Sequence, residues 1–151
     1  MNRKKLIQFF VTVASLGATA AINYSIFHSS FIFVVLAVLL AHELAHYFVA
    51  RMHSGNPDLP YFIPFPLISI GITRIKNMRH LSFNSKKKIL FYGPFAGFVC
   101  SLLFSILSLI FIPSYFLPLL ILSISEIVFN YFGMDGKKYR KYSYEENLSY
   151  L

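Results

Sequence analysis

Charged residues are scarce in this chain of 151 residues: they make up 13% of it, whereas soluble domains carry about 25%. Apolar residues make up 56%. This composition excludes an ordinary soluble domain and an intrinsically disordered chain. Acids are the scarcer charge, with six against fourteen bases. The formal net charge of +8 would indicate nucleic-acid binding only if the bases formed a patch on a soluble surface.

Cysteine is nearly absent as well. The single Cys100 lies inside an apolar stretch, so the chain contains no internal disulfide framework. We interpret this cysteine as a small packing residue.

Two long stretches lack any charged residue, the first at residues 6–42 and the second at 89–125. One membrane-spanning helix needs about 20 apolar residues, since each residue adds about 1.5 Å across roughly 30 Å of hydrocarbon. Each stretch is therefore too long for one helix and predicts a pair. With polar breaks at 28–30 and 113–114, the predicted transmembrane helices are about 6–27, 31–50, 89–112 and 115–132.

The position of the bases predicts the orientation of these helices. Lys and Arg occur before the first helix, in the loop at 51–88 and in the tail at 133–151. Bases in short flanking segments stay on the cytoplasmic side, and an even number of spans places these three segments together. Both termini are therefore predicted to be cytoplasmic. The net charge reflects membrane topology, and we expect no nucleic-acid partner.

The start of the first helix also has features of a cleavable signal peptide. Basic residues precede a short apolar run that ends at Ala18, Thr19 and Ala20. Because the apolar character continues beyond this point, we predict an uncleaved helix.

The predicted fold is thus an all-α polytopic membrane protein, with a single membrane-embedded domain over 1–151. The loop between the second and third helices is rich in proline, which keeps the chain extended at Pro64 and Pro66. Ile68, Ile70 and Ile72 then alternate with small or polar residues, a period typical of a strand. The edge of this strand could pair with an extended peptide, or the loop could be an interfacial plug.

The second helix contains a His-Glu-x-x-His motif formed by His42, Glu43 and His46. Residues four apart share a helix face, so both imidazoles can bind one Zn²⁺, with Glu43 beside them to accept a proton from water. In a soluble helix this pattern is often only a polar face. In a membrane helix each charged group costs about 2.5 kcal/mol or more, so the cluster needs a compensating partner, which favours a metal site.

A catalytic zinc ion usually takes three protein ligands and leaves one position for water. The candidates for the third ligand are Glu126 and Asp135, both placed on the fourth predicted helix. Asp135 is followed by bases and should lie near the membrane boundary, whereas Glu126 lies deeper, closer to the level of His42. Both alternatives remain open at this point. Four other residues lie in loops or at the outer end and are not predicted as ligands: His28, His53, Asp58 and His80.

Three separated segments, within residues 35–140, resemble the site-2 protease family of intramembrane zinc metalloproteases. The first is the zinc-helix motif at 41–47. The second combines the proline-rich segment at 59–66 with Gly-Pro-Phe-Ala-Gly at 93–97, and is similar to the branch found in plastids, cyanobacteria and many archaea. The third is Asn130 followed by Met-Asp-Gly at 134–136.

The resemblance implies a function and roles for individual residues. It implies that Asp135 is the third ligand of one zinc ion per chain and that Glu43 is the catalytic base. It also implies that the substrate is a transmembrane segment of another protein, cut in or near the lipid bilayer. The segment between Asn130 and Asp135 is shorter than is usual in the family and lacks its prolines.

Other interpretations remain open. Asn130 lies one helical turn after Glu126 and could hold the substrate carbonyl or the developing oxyanion, or could only make a structural hydrogen bond. The shortened segment at 131–134 favours an inactive zinc-binding homologue that acts as a membrane scaffold. A small ion or solute transporter, with Glu43 and Glu126 in a proton path, is less favoured because no second set of broken helices is present.

Overall fold

The computed structural model describes residues 3–64 and 70–148 and confirms the all-α architecture. The helices α1 to α4 are long and apolar enough to cross a membrane, the last together with the 3-10 turn before it. The two strands form one antiparallel pair, in which Phe62 lies opposite Gly71. In chain order the elements are α1 (Arg3–Phe27), α2 (Phe31–Met52), β1 (Tyr61–Ile63), β2 (Ile70–Ile72), α3 (Phe83–Phe111), α4 (Phe116–Phe132) and α5 (Met134–Leu148).

The four predicted spans correspond to α1 to α4, with differences at their ends. α3 begins at Phe83, whereas the sequence predicted a start near 89. The side chain of Ser82 accepts a hydrogen bond from the main-chain nitrogen of Ser85 at 3.2 Å and caps the helix there. α3 therefore extends by less than two turns beyond the uncharged stretch, and this extension carries Lys86, Lys87 and Lys88.

The placement of Asp135 on the fourth helix is wrong. α4 ends at Phe132, and Asp135 lies in the first turn of α5. The chain turns tightly at this point: a Cβ atom at Gly136 would lie 2.1 Å from the main-chain oxygen of Tyr131 and 2.5 Å from that of Asn130. Glycine is required here because any side chain would collide with the end of α4.

α3 packs against both α2 and α4, and small polar residues occupy its buried face. The hydroxyl of Ser101 donates to the main-chain oxygen of Gly97 at 2.9 Å, and Ser105 donates across to Phe116 of α4 at 3.1 Å. Small residues let the helix backbones approach closely, and each hydroxyl is satisfied without water. α3 thus forms the centre of the bundle.

The hairpin of β1 and β2 folds back into the bundle beside α1. The main-chain nitrogen of Phe62 donates to the hydroxyl of Ser15 at 3.1 Å, and Thr12 donates to the carbonyl of Pro60 at 2.5 Å. Ser15 lies ten residues after Lys5, which is about 15 Å along the helix. Irregular backbone is tolerated at this depth because it packs on protein and lines a cavity.

The alternating pattern in the loop is confirmed as a strand at Ile70–Ile72. Pro66 and Ile68, which belonged to the same prediction, lie outside the described residues. The two-stranded sheet leaves β2 with one edge that no strand covers in the described parts of the chain.

The basic segments meet at one end of the bundle. α1 and α3 begin there, while α2 and α4 end there. Lys76 and Asp58 form an ion pair of 2.6 Å in the loop, and Gln8 of α1 also donates to Asp58. Lys87 of α3 pairs with Glu146 of α5. These contacts join the loop and the carboxyl-terminal helix to the ends of the spans.

Candidate metal centre

Three ionisable side chains are buried within α2. His42, Glu43 and His46 have exposed fractions of 7%, 6% and 7%. The His-Glu-x-x-His motif of α2, a helix that is otherwise mostly apolar, therefore faces the interior of the bundle, toward α3, the hairpin and α5. Each of the three has a polar partner on another element.

Hydrogen bonds assign the tautomer of each imidazole. The Nδ1 atom of His46 lies 2.7 Å from the main-chain oxygen of Ile89, and a carbonyl can only accept, so this nitrogen carries a proton. The Nδ1 atom of His42 lies 3.1 Å from Oε2 of Glu126 and donates to that carboxylate. A neutral ring with its proton on Nδ1 carries its lone pair on Nε2, the form in which a histidine binds a metal ion.

The two Nε2 atoms converge with a carboxylate oxygen of Asp135. They lie 3.1 Å apart, and Oδ2 of Asp135 lies 3.1 Å from Nε2 of His46 and 3.7 Å from Nε2 of His42. With both rings neutral and the carboxyl ionised, all three atoms are acceptors, and they would repel one another unless a cation lay among them. A proton can bridge only one pair at a time, whereas one metal ion satisfies all three. This buried group could hold a metal ion.

The separations also have the size that a tetrahedral site requires. Ligand bonds of about 2.0–2.1 Å at tetrahedral angles place ligand atoms about 3.3 Å apart. The observed values of 3.1, 3.1 and 3.7 Å lie around this distance.

The structure places Glu126 and Asp135 on opposite sides of His42. Asp135 faces the lone pairs, whereas Glu126 accepts the proton on the other nitrogen. Glu126 does lie level with His42, as its depth in the sequence predicted. Asp135 nevertheless reaches the site, because the chain turns sharply after α4 and because its closer contact is His46, one helical turn nearer the boundary. Glu126 is thus a hydrogen-bond partner of His42 and is not one of the three convergent groups.

Asn130 lies directly behind Glu126 on α4. Its amide nitrogen donates to Oε2 of Glu126 at 3.0 Å and to the main-chain oxygen of Glu126 at 2.7 Å. These two bonds use both hydrogens of the amide. Asn130 also lines the cavity of the site, and its role toward a substrate stays a prediction.

Glu43 is held by the hairpin. The hydroxyl of Thr73, just after β2, lies 2.7 Å from Oε2 of Glu43 and 3.1 Å from its main-chain oxygen. A Cβ atom at Gly71 would lie 2.4 Å from Cγ of Glu43, so the strand passes directly over the carboxylate. Thr73 was missed in the sequence, since no periodicity indicates which helix residue a loop hydroxyl will meet.

Two glycines of α3 make room for the site. A Cβ atom at Gly93 would lie 2.2 Å from Nε2 of His46, and one at Gly97 would lie 2.7 Å from Oε2 of Glu126. Residues four apart share one helix face, so both glycines point to the polar cluster. The Gly-Pro-Phe-Ala-Gly segment therefore provides clearance for functional side chains, in addition to close helix packing.

These groups line a cavity of about 520 Å³ between α2, β2, α3 and the carboxyl-terminal helices. Its wall is polar at the metal-binding group and apolar at Leu39, Ile70 and Ile72. Such a lining suits a peptide backbone with apolar side chains together with a small number of water molecules.

Two of the loop residues that were not predicted as ligands have other partners. Asp58 accepts from Lys76 and Gln8. Burial raises the pKa of Asp58, but these two hydrogen bonds outweigh it and hold the pKa below 3.8. The Nδ1 atom of His53 lies 3.2 Å from the hydroxyl of Ser85.

Comparison with protein-family models, with curated proteins and with solved structures finds no match for this chain. The likeness of its three segments to the site-2 protease family remains a resemblance of motifs. Function is therefore inferred from the residues of the site.

Proposed function

We propose that this chain is an intramembrane zinc metalloprotease that hydrolyses peptide bonds in or near transmembrane segments of other proteins. One observation carries the proposal: three acceptor atoms from His42, His46 and Asp135 converge beside the buried carboxylate of Glu43, within a bundle of apolar helices. Two imidazoles, one carboxylate and an adjacent glutamate are the ligands and base of many zinc hydrolases. The resemblance to the site-2 protease family supports the same function.

Zinc suits this ligand set better than other common ions. Imidazole nitrogen and carboxylate oxygen in a tetrahedral arrangement are typical of Zn²⁺, whereas Mg²⁺ and Ca²⁺ prefer six or more oxygen ligands. Zinc bound here would polarise a substrate carbonyl and lower the pKa of water in the remaining position to about 7. We propose one zinc ion per chain.

Glu43 is the proposed catalytic base. Thr73 holds its Oε2, and in the described part of the chain no residue hydrogen-bonds to its Oε1. Glu43 takes a proton from the attacking water as the new C–O bond forms. It then passes this proton to the amine nitrogen as the C–N bond breaks, so proton and leaving group balance.

Glu126 and Asn130 are proposed to position a ligand. Asn130 holds the carboxylate of Glu126, which accepts the Nδ1 proton of His42. This hydrogen bond fixes the ring orientation and makes Nε2 a better ligand, as is usual for metal-binding histidines. Neither residue touches the reacting atoms in this proposal.

The hairpin is the proposed substrate platform. Ile70, Gly71 and Ile72 of β2 line the cavity beside Glu43. An exposed strand edge can pair with an extended segment and hold its backbone in place. A transmembrane helix must unwind before its peptide bonds become accessible, and such pairing would replace the lost helical hydrogen bonds.

We also propose that both termini face the cytoplasm. The bases lie at one end of the bundle, and Lys and Arg in short flanking segments are retained on the cytoplasmic side. The site then opens near the cytoplasmic surface of the membrane.

The function can be tested by incubating the purified full-length chain with a panel of single-span membrane proteins. We expect at least one to be cleaved, cleavage to stop with a zinc chelator, and zinc to restore it. Bound metal without cleavage of any substrate is the result expected for a non-catalytic scaffold. A purified chain that binds no metal would contradict both interpretations.

A further inference from the structure

A second cleft, of about 220 Å³, lies where α1 begins and α2 ends. α1 and α2 form two sides of this cleft, and the loop after α2 forms the third. The cleft shares no lining residue with the cavity of the metal centre. It is smaller than the pockets of about 300–1,000 Å³ that hold drug-sized ligands, so its size fits a small group.

The charge of this cleft is positive. Lys5 from α1 and Arg51 from α2 line it, and no acid does. Among residues 3–64 and 70–148 neither base forms an ion pair. The only acid of the loop, Asp58, is compensated by Lys76 and Gln8 and is not part of the lining.

The rest of the lining is neutral: Gln8, whose amide nitrogen donates to Asp58, the apolar residues Pro57 and Leu59, and three further residues with hydrogen-bonding groups. Tyr47 contributes a hydroxyl from a mostly buried side chain, and Ser54 and Asn56 contribute a hydroxyl and an amide from the loop. An Arg with neighbouring hydroxyl and amide groups suits the oxygens of a phosphate.

The cleft lies at the membrane boundary. Lys5 directly precedes the uncharged stretch at 6–42, and Arg51 lies in the last turn of α2. Phosphate groups of lipids are the abundant anions at this level, and basic pockets between transmembrane helices are known to bind them.

We propose that this cleft binds a phosphate group, supplied by the headgroup of an anionic phospholipid. Lys5 and Arg51 contribute the charge, while Ser54 and Asn56 contribute neutral donors. The same chemistry would accept a soluble phosphate, so the two sources need separate measurements. The inference does not depend on proteolytic activity.

The test uses the purified full-length chain in neutral detergent and measures retained lipid by native mass spectrometry. Phosphatidylglycerol is compared with phosphatidylcholine at equal concentration. The double variant Lys5→Gln with Arg51→Gln removes both charges of the cleft. The matched control, Arg79→Gln with Lys88→Gln, removes the same charge from exposed residues at the same end of the bundle that do not line the cleft. Unchanged metal content in both variants shows that the bundle is folded.

We expect wild type to retain phosphatidylglycerol preferentially. The cleft variant should lose about thirtyfold in affinity, the effect of two bases beside an anionic headgroup, while the control keeps its preference. Competition by inorganic phosphate that depends on Lys5 and Arg51 would support the phosphate site and identify a soluble source. Equal retention by wild type and the cleft variant, or an equal loss in the control, would overturn the proposal.

Discussion

His42 and His46 are each fixed through Nδ1, the ring nitrogen that faces away from Asp135. The carboxylate of Glu126 accepts from His42, and the main-chain oxygen of Ile89 accepts from His46. Both partners come from helices far away in the sequence. The ligand geometry is therefore set by packing between α2, α3 and α4, and changes in the supporting residues should weaken metal binding.

Alanine variants of the two acids distinguish the ligand from its supporting residue. Asp135→Ala removes a ligand atom, whereas Glu126→Ala removes only the partner of His42. We expect Glu126→Ala to weaken zinc binding by about 10–100-fold, the usual effect of losing such a partner, and Asp135→Ala to weaken it more. Competition with a chelator of known affinity measures both. A larger loss for Glu126→Ala would make Glu126 the third ligand.

Gly93 provides a second test at the scale of single residues. In Gly93→Ala the new methyl group would lie 2.2 Å from Nε2 of His46, so the ring must move away from His42 and Asp135. We expect bound zinc to be lost while the helix content remains. Gly17→Ala is the matched control, because nothing lies within 4 Å of the corresponding Cβ position on α1. Equal zinc content in the two variants would show that Gly93 has no role in the site.

Part of the site could be predicted from the sequence. The spacing of four residues was sufficient to select His42 and His46 as candidate ligands, and the scarcity of acids left two candidates for the third ligand. The support from Thr73 and from the carbonyl of Ile89 was not predictable. It depends on how distant elements pack, and neither residue type carries a local signal for this role.

At the scale of elements, the four spans were predictable because membrane helices are defined by the absence of charge. α5 was not, because a polar tail with mixed charge has no apolar face that would identify it as a packed helix. Contacts with α3 explain its structure: Glu146 pairs with Lys87, and the ring of Tyr142 lies 5.2 Å from the ammonium of Lys86. Lys86 and Lys87 are available as partners only because α3 begins at Phe83, before the uncharged stretch at 89–125.

The attachment of the loop to α1 should depend on pH. The pKa of Asp58 is below 3.8 in the folded chain, so its contribution to stability is present above that value and is lost as the pH falls through the lowered pKa. The ion pair lies at the surface, with side-chain exposures of 31% for Lys76 and 22% for Asp58, so we expect a contribution of about 1 kcal/mol or less. Thermal unfolding of wild type and Asp58→Asn should differ at pH 7, and the difference should shrink as the pH falls below about 4, the ordinary pKa of Asp. A constant difference across this range would exclude the carboxylate as the cause.

At the scale of the whole molecule, charge distribution and architecture agree. An even number of spans gathers the bases at one end, and the metal centre lies in the half of the bundle nearest that end. The hairpin and α5 close the same half, so the proposed catalytic groups, the proposed substrate edge and the proposed phosphate cleft lie in one half of the bundle.

The orientation is tested by reporter fusions. We expect a reporter that is active only in the cytoplasm to be active after residue 151 and inactive when inserted at the turn near Pro113, because the positive-inside rule places the bases in the cytoplasm. Replacing Arg3, Lys4 and Lys5 with neutral residues should lower the fraction of correctly oriented chains. Activity at the turn near Pro113 would reverse the proposed topology.

The most direct test of proteolysis within the membrane is mass spectrometry of the products formed from a single-span substrate in proteoliposomes. Wild type and Glu43→Gln are compared at equal zinc content. We expect wild type to yield fragments that end inside the apolar segment of the substrate, and Glu43→Gln to form them about 10²–10⁴-fold more slowly, as expected on loss of a general base. The same fragments at the same rate from both proteins would contradict the assignment of Glu43 and the proposed function.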